Sequence, residues 1–356
     1  MKVVADKDIP FLKGVLEPYC DVVYKAGGAI SREDCTEADA LVVRTRTICG
    51  KDLLEGTGVR FVATATIGTD HMDTGWLRAH GIDYASAPGC NACGVMQYVH
   101  TALFTAASRK GFDLRGKTIG VVGAGNTGER VARLAGYLGF RVLRNDIDAS
   151  LRAPLVPLDT LLRESDIVSC HLPLDDSTRG MVSDAFLDGM KPGAVLVNAC
   201  RGEVVDDTAV LRYRDKLSLL ILDVWSGEPS GITPGLVDAA DIATPHIAGY
   251  SYEGKLNGTK MAVRALARYF GIRPLMDFAP DAAPLSHIPL PVSIGTMRDQ
   301  AELAESMQYV FPIMDTDRAF RADPSSFEQL RRDFNYRHEF EVPGYISSPC
   351  LYRNKS

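Results

Sequence analysis

The chain has 356 residues, enough for two or three domains with sizeable cores. Hydrophobic residues make up 46% and charged residues 24%, which excludes wholesale disorder, a collagen and a coiled coil. Lys plus Arg number 39 against 45 Asp plus Glu, and the resulting net charge of −6 supplies no basic field for a polyanion, so nucleic acid is set aside as a partner.

At the N-terminus, "MKVVADKDIP" meets a charge at Asp6, so it does not read as a secretory leader. No apolar run reaches the roughly 20 residues that span a bilayer, so no membrane partner is expected. The eight cysteines are scattered without a framework spacing, and a chain of this size needs no staples; reduced thiols in a cytoplasm are expected. Short β-branched runs then follow, "VVAD" at 3–6, "LVVRT" at 41–45, "FVATAT" at 61–66 and "IDYASA" at 82–87, with segments between them long enough for crossovers. Residues 1–97 read as a small α/β unit.

A second α/β series occupies 98–250. Its strand-like runs are "GKTIGVVGAGNTG" at 116–128, "RVLRND" at 141–146, "DIVSCHLP" at 166–173, "AVLVNAC" at 194–200, "LLILDVW" at 219–225 and "DIATPHIAG" at 241–249. Six such runs with helical periods between them match a doubly wound sheet. Val131, Leu134, Ala135 and Leu138 are spaced as one helix face, and Leu158, Leu161 and Leu162 as another. Residues 251–280 carry a helix with Met261, Ala265 and Arg268 as its stripe and Gly271 as its stop, read as a return segment to the first unit. Pro274, Pro280, Pro284, Pro289 and Pro291 mark a linker. Residues 281–356 follow as a small C-terminal domain, expected to dimerise, with the charged run "FEQLRRDFNYRHEFE" as a solvated helix face or an interface.

Within the second series, Gly123, Gly125 and Gly128 follow an apolar strand and open an amphipathic helix. The first permits a tight turn, the second lets backbone N–H groups approach a pyrophosphate, and the third lets helix pack on strand. Asn126 and Thr127 lie where their amides would meet phosphates. Asp146 ends the next strand, eighteen residues after Gly128, where a carboxylate accepts from ribose hydroxyls and repels a 2′-phosphate. The cofactor expected is NAD rather than NADP, with Arg144 and Arg152 as the features against. Further along, Arg201, Glu228 and His246 each follow an apolar strand, and strand carboxyl ends border the ligand crevice of a doubly wound sheet. A cation, an acid and a base at such ends suit oxidation of a hydroxy acid. Cys90 and Cys93 form a lone CxxC without a second pair, so no metal is expected. Trp225 reads as packing.

With "GTDHMD" (68–73), "APGCNA" (87–92), "NACRGEVVD" (198–206) and "PHIAGYSYEGK" (245–255), the chain resembles the D-isomer-specific 2-hydroxyacid dehydrogenases over essentially its whole length. The resemblance implies a Rossmann-type NAD domain, a flavodoxin-like α/β substrate domain and a small C-terminal α+β dimerisation domain, in a homodimer acting on a phosphorylated 2-hydroxy acid. It implies His246 as the base, Glu228 as its partner and Arg201 as the holder of the substrate carboxylate. By the same resemblance Leu172, Ala199, Cys200, Asp223 and Gly249 stand on the cofactor side, and Thr45, Thr66 and Tyr250 contact substrate. Arg44 is added for its charge. Leu172 and Gln97 depart from the family pattern, which carries Thr and commonly Glu there. The alternatives are a dehydrogenase of 3-phosphoglycerate or glycerate, and a non-catalytic NAD-sensing protein.

Overall fold

The computed structural model describes residues 1–151, 153–280, 288–289 and 300–341. Arg152, Pro284, Pro291, Cys350 and most of the expected linker lie outside the described residues. The chain forms two compact units, one of Met1–Asn91 with Tyr252–Leu285 and the other of Ala92–Ser251 with Ser286–Ser356.

In the first unit, β1 (Lys2–Asp6), β2 (Asp21–Lys25), β3 (Ala40–Val43), β4 (Phe61–Thr64) and β5 (Asp83–Ala85) form a parallel sheet in the order β2-β1-β3-β4-β5. That is the flavodoxin-like order, in which strand order reverses beside the first strand. The two-residue period of a strand divides its side chains between two cores. Val3, Ala5, Val42 and Ala63 pack with Ala262, Val263 and Leu266 of the helix Tyr252–Phe270. Val4, Leu41, Val43 and Val62 pack on the other side with Leu53, Leu54 and Leu77.

Two sequence readings are corrected here. The edge strand β2, "DVVYK", escapes notice because its side chains are only half-buried. The helix Tyr252–Phe270 buries Ala262, Val263, Leu266 and Ala267, not the stripe of Met261, Ala265 and Arg268, of which Arg268 is exposed. Gly258 lets this helix approach the sheet, since a Cβ there would stand 2.5 Å from the Ala65 carbonyl oxygen.

In the second unit, β6 (Thr118–Val122), β7 (Arg141–Asn145), β8 (Ile167–Cys170), β9 (Ala194–Asn198), β10 (Leu217–Leu222) and β11 (Ile242–Ala243) run parallel in the order β7-β6-β8-β9-β10-β11. This is the doubly wound sheet expected, with its switch point where β7 and β8 flank β6. Ile119, Val121, Ile167, Val195 and Leu219 face a core shared with the helices Ala92–Lys110 and Asn126–Tyr137. Val122, Val168, Leu196 and Leu220 face the other core with Leu161, Phe186 and Val210. Of "DIATPHIAG" only Ile242 and Ala243 are strand, and the rest is loop.

The described part of 281–356 makes no core of its own. Its helices Gln300–Val310, Ile313–Ala322 and Phe327–Arg332 fill the two cores just described: Leu303, Met307, Phe311 and Ile313 join the first, Phe320 and Phe327 the second. A short strand β13 (Phe340–Glu341) pairs with β12 (Ile288–Pro289). The run "FEQLRRDFNYRHEFE" is not a solvated face, because Phe327, Arg337 and Phe340 are buried. Among the described residues no helix is long and apolar enough to cross a membrane.

Candidate active site

The turn after β6 shows why three glycines stand where they do. Gly123 has φ +88°, and a Cβ there would lie 2.5 Å from the His171 carbonyl oxygen. At Gly128 a Cβ would lie 1.9 Å from the Gly123 carbonyl oxygen, so the helix could not seat on the strand. Around Gly125, by contrast, a Cβ would meet nothing within 4 Å, and this residue caps the helix Asn126–Tyr137. Open space before a twelve-residue helix N-terminus, flanked by Asn126 and Thr127, is a cradle that fits a pyrophosphate. Asp146 closes the turn, its Oδ2 accepting from the Ala124 amide at 2.7 Å. Arg144 is bound to Glu129 at 2.8 Å, which commits its guanidinium within the protein rather than to a 2′-phosphate. Leu172, just after β8, lies against Gly123, with its Cδ2 3.2 Å from where a Cβ would stand.

Beyond β9, Asn198 organises the strand end. Its Oδ1 accepts from the Cys200 amide at 3.2 Å and its Nδ2 donates to the Arg201 carbonyl at 2.9 Å. Ala199 and Cys200 are buried, and burial pushes the Cys200 thiol up. The Arg201 guanidinium donates to the Cys200 carbonyl at 2.8 Å. The next residue must be glycine, because a Cβ on Gly202 would stand 2.0 Å from the Trp225 carbonyl carbon. Trp225 is fully buried packing, with its indole N–H donating to the Thr244 carbonyl at 2.9 Å.

His246 and Glu228 meet directly, Nδ1 of the imidazole against Oε1 of the carboxylate. The other carboxylate oxygen accepts from the Trp225 amide at 3.1 Å. Burial alone would raise the Glu228 carboxyl, but the charge and hydrogen bond of His246 outweigh it and hold the carboxyl below its ordinary range. His246 has φ +55°, the left-handed region that a non-glycine residue adopts at a cost of about 1–3 kcal/mol. Its amide donates to the Asp223 carbonyl at 2.6 Å and to the Thr244 carbonyl at 3.0 Å.

Asp223 is fully buried, and its carboxylate is spent on the loop that follows β11. Oδ1 accepts from the Thr244 hydroxyl at 2.6 Å and the Ile247 amide at 2.8 Å, and Oδ2 from the Ala248 amide at 2.8 Å. Burial raises its pKa despite these donors and the nearby His246. The structure shows Asp223 ordering the loop that carries His246. Gly249 lies in that loop, its carbonyl accepting from the Ser251 amide at 3.1 Å. Tyr250 is half-buried, its ring edge-on to Phe334 and Tyr336 and 5.6 Å from the Arg331 guanidinium.

In the first unit, the residues after β3 form a turn rather than continuing the strand, and Thr45 is exposed there. Arg44 is already engaged: Nε lies 2.8 Å from Oδ2 of buried Asp6, and Nη2 lies 3.2 Å from Asp6 Oδ1 and from Asp8 Oδ2. Part of its charge is therefore already spent on these two carboxylates. Thr66 follows β4, with its hydroxyl 2.7 Å from that of Thr64, which in turn lies 3.1 Å from His71 Nε2.

The structure gives Gln97, which the sequence marks only as a departure, its partners, and adds Arg337, which the sequence reading missed. Gln97 pairs with the Phe340 backbone both ways, its amide nitrogen donating to the carbonyl at 2.8 Å and its oxygen accepting from the N–H at 3.0 Å. A glutamate carboxylate could accept there but not donate. Arg337 is buried and donates to the carbonyls of Ala248, Gly94 and Tyr250 at 2.6, 2.8 and 2.9 Å. Nothing local in "FNYRHEF" marks it out, because its partners are backbone atoms about 90 or more residues away.

Residues 92–248 match the family profile described as "D-isomer specific 2-hydroxyacid dehydrogenase, NAD binding domain". The chain is 38% identical to the erythronate-4-phosphate dehydrogenase of Yersinia enterocolitica, covering 96% of this chain and 93% of that one. It is also 38% identical to the enzyme of the same name from Shewanella denitrificans, covering 98% and 95%. Among solved structures it is similar to the TT0316 protein from Thermus thermophilus at TM-score 0.65 and 26% identity, over 79% of this chain and 99% of that one. The NAD+-bound 3-phosphoglycerate dehydrogenase of Entamoeba histolytica shares the fold at TM-score 0.66 and 24% identity, over 78% and 97%.

Proposed function

The chain belongs to the D-isomer-specific 2-hydroxyacid dehydrogenases and carries their NAD-binding domain, and from that premise we propose that it oxidises 4-phospho-D-erythronate to (R)-3-hydroxy-2-oxo-4-phosphooxybutanoate, a step of pyridoxal 5′-phosphate biosynthesis. The substrate follows from relatives named for it that match across nearly their whole length. The observation that carries the chemistry is the His246–Glu228 pair at the end of the sheet that bears the glycine cradle.

With Glu228 on Nδ1, the imidazole proton is held on that nitrogen, and Nε2 keeps the lone pair a base needs. His246 takes the proton from the C2 hydroxyl, and Glu228 stabilises the imidazolium so formed. Arg201 holds the substrate carboxylate through its planar fork and polarises the developing carbonyl. The chemistry that NAD supplies when bound is acceptance of hydride from C2. Gly123, Gly125, Asn126, Thr127 and Gly128 would hold its pyrophosphate, Asp146 its adenosine ribose, and Leu172, Ala199, Cys200, Asp223 and Gly249 would line its nicotinamide side. Thr45, Thr66 and Tyr250 are assigned to the substrate, and Arg44 joins them only through N–H groups that Asp6 and Asp8 leave over.

We also take the enzyme to be a homodimer of the cytoplasm. The buried thiols Cys35, Cys49, Cys170 and Cys200 suit a reducing compartment, and light scattering of the full chain tests the dimer. Steady-state rates with 4-phospho-D-erythronate, 3-phosphoglycerate and glycerate test the substrate. Preference for 3-phosphoglycerate overturns the assignment, and no turnover on any 2-hydroxy acid favours an NAD-sensing protein instead.

A further inference from the structure

We propose that Arg337 is a positioning residue for catalysis: its buried guanidinium grips the backbone of the loop that carries His246, while the Asp223 carboxylate grips the same loop through its N–H groups. The inference rests on reading His246 as the base.

After β11 ends at Ala243 the loop has no strand or helix to satisfy its backbone, yet residues 247 and 248 are buried. Every such group needs a partner. The Ile247 and Ala248 amides find Asp223 at 2.8 Å each. The carbonyls of Ile247, Ala248 and Tyr250 find Arg337 at 3.4, 2.6 and 2.9 Å. One peptide unit, that joining Ile247 to Ala248, gives its N–H to the anion and its C=O to the cation. In a trans peptide those groups point in opposite directions, so its dipole is aligned between two buried charges of opposite sign.

The cation is itself fixed. It donates to the Gly94 carbonyl at 2.8 Å and lies 4.2 Å from the Phe311 ring centre. Flanking it, Ser251 donates to Glu339 at 2.7 Å, and Gln97 pairs with the Phe340 backbone. Such clamping explains how His246 keeps a left-handed backbone, which persists only where the surroundings over-determine it. Released, the residue would relax towards an ordinary conformation and carry its imidazole off Glu228. A planar fork serves several diverging carbonyls at once, which an ammonium on a flexible stem does not.

Arg337→Met and Arg337→Lys test this in the full-length protein, assayed with whichever 2-hydroxy acid the wild type turns over. Expected are a kcat lowered about 10²-fold, since a displaced base costs that much, and a KM and an NAD dissociation constant within about threefold of wild type. Amide exchange of residues 246–251 should quicken in the same variants while that of β6–β10 stays as in wild type. Should Arg337→Met fail to fold, Arg337→Lys keeps charge and stem, loses the fork and gives the same readouts. An active wild type with either variant unimpaired in kcat, or with kcat falling only in step with NAD affinity, overturns this inference alone. A wild type inactive on every 2-hydroxy acid overturns the function and this inference together.

Discussion

On the proposed reading His246 and Glu228 divide one task between them, and each can be removed separately. His246→Asn deletes the base and leaves the glycine turn intact, so turnover should fall by about 10²–10⁴-fold while calorimetry finds NAD bound as before. Wild-type turnover in that variant would remove His246 from its role. Glu228→Gln keeps a hydrogen-bond acceptor and loses the charge. Without the carboxylate anion to stabilise the imidazolium formed as His246 takes the proton, kcat in the oxidation direction should fall. Stability carries a second sign. The Glu228 carboxyl is depressed in the folded protein, so its ionised form favours the fold above the ordinary carboxylate pKa of about 4.3, and that advantage is lost as pH falls through the folded value. Urea unfolding of wild type against Glu228→Gln should therefore show its largest gap near neutrality and a shrinking one in acid. The residue types and their strand-end contexts were readable in the sequence. The destination of the Asp223 carboxylate and the occupation of Arg44 by Asp6 and Asp8 were not, since both depend on where a folded chain brings distant atoms.

Strands and turns with strong local chemistry are the elements that pattern reveals. β6 and its three glycines are apolar run, turn and amphipathic helix in one stretch, and the structure supplies a separate steric reason at Gly123 and Gly128. Gly128→Ala forces a Cβ against a backbone carbonyl that cannot move aside cheaply. The expected cost is about 1–3 kcal/mol in chemical denaturation, with NAD affinity lost as well because the helix N-terminus shifts from the cradle. Gly125→Ala, placed in open space, should keep stability and lose affinity only. Equal effects of the two on stability would contradict this division. Where periodicity misled, the cause is physical. In the helix Tyr252–Phe270 several buried positions are small, Gly254, Gly258, Ala262 and Ala267 among them, so backbone proximity as well as the bulk of Val263 and Leu266 marks its inner face. β2 is half-buried and at the sheet edge, which leaves little hydrophobic alternation to detect.

Length alone suggests two or three consecutive domains, but the chain leaves its first unit after Asn91, re-enters at Tyr252, and ends in the second. Such connectivity is invisible to composition, and it packs the C-terminal segment into the second unit. A tail expected to matter for dimerisation places Leu303, Met307, Phe311, Ile313, Phe320, Phe327 and Phe340 in the two cores that sandwich the NAD-binding sheet. Burial of side chains like these is worth about 1.5–3 kcal/mol each, and seven together rival the roughly 5–15 kcal/mol by which a whole domain is stable. Deleting residues 300–356 should therefore abolish the cooperative unfolding of the second unit, seen as loss of its thermal transition and of NAD binding, and not merely convert a dimer to a monomer. A truncated chain that melts cooperatively and binds NAD as tightly as the full one would show instead that those side chains are replaceable packing. The tail's polar contacts run to the same sheet: Asp317 accepts from the Ala243 amide at 2.7 Å at the end of β11, and Arg337 holds the loop that begins there. If Arg337 acts as proposed, stability and catalysis draw on one segment. Core substitutions such as Phe320→Leu should lower the melting temperature with little change in kcat, whereas Arg337→Lys should do the reverse.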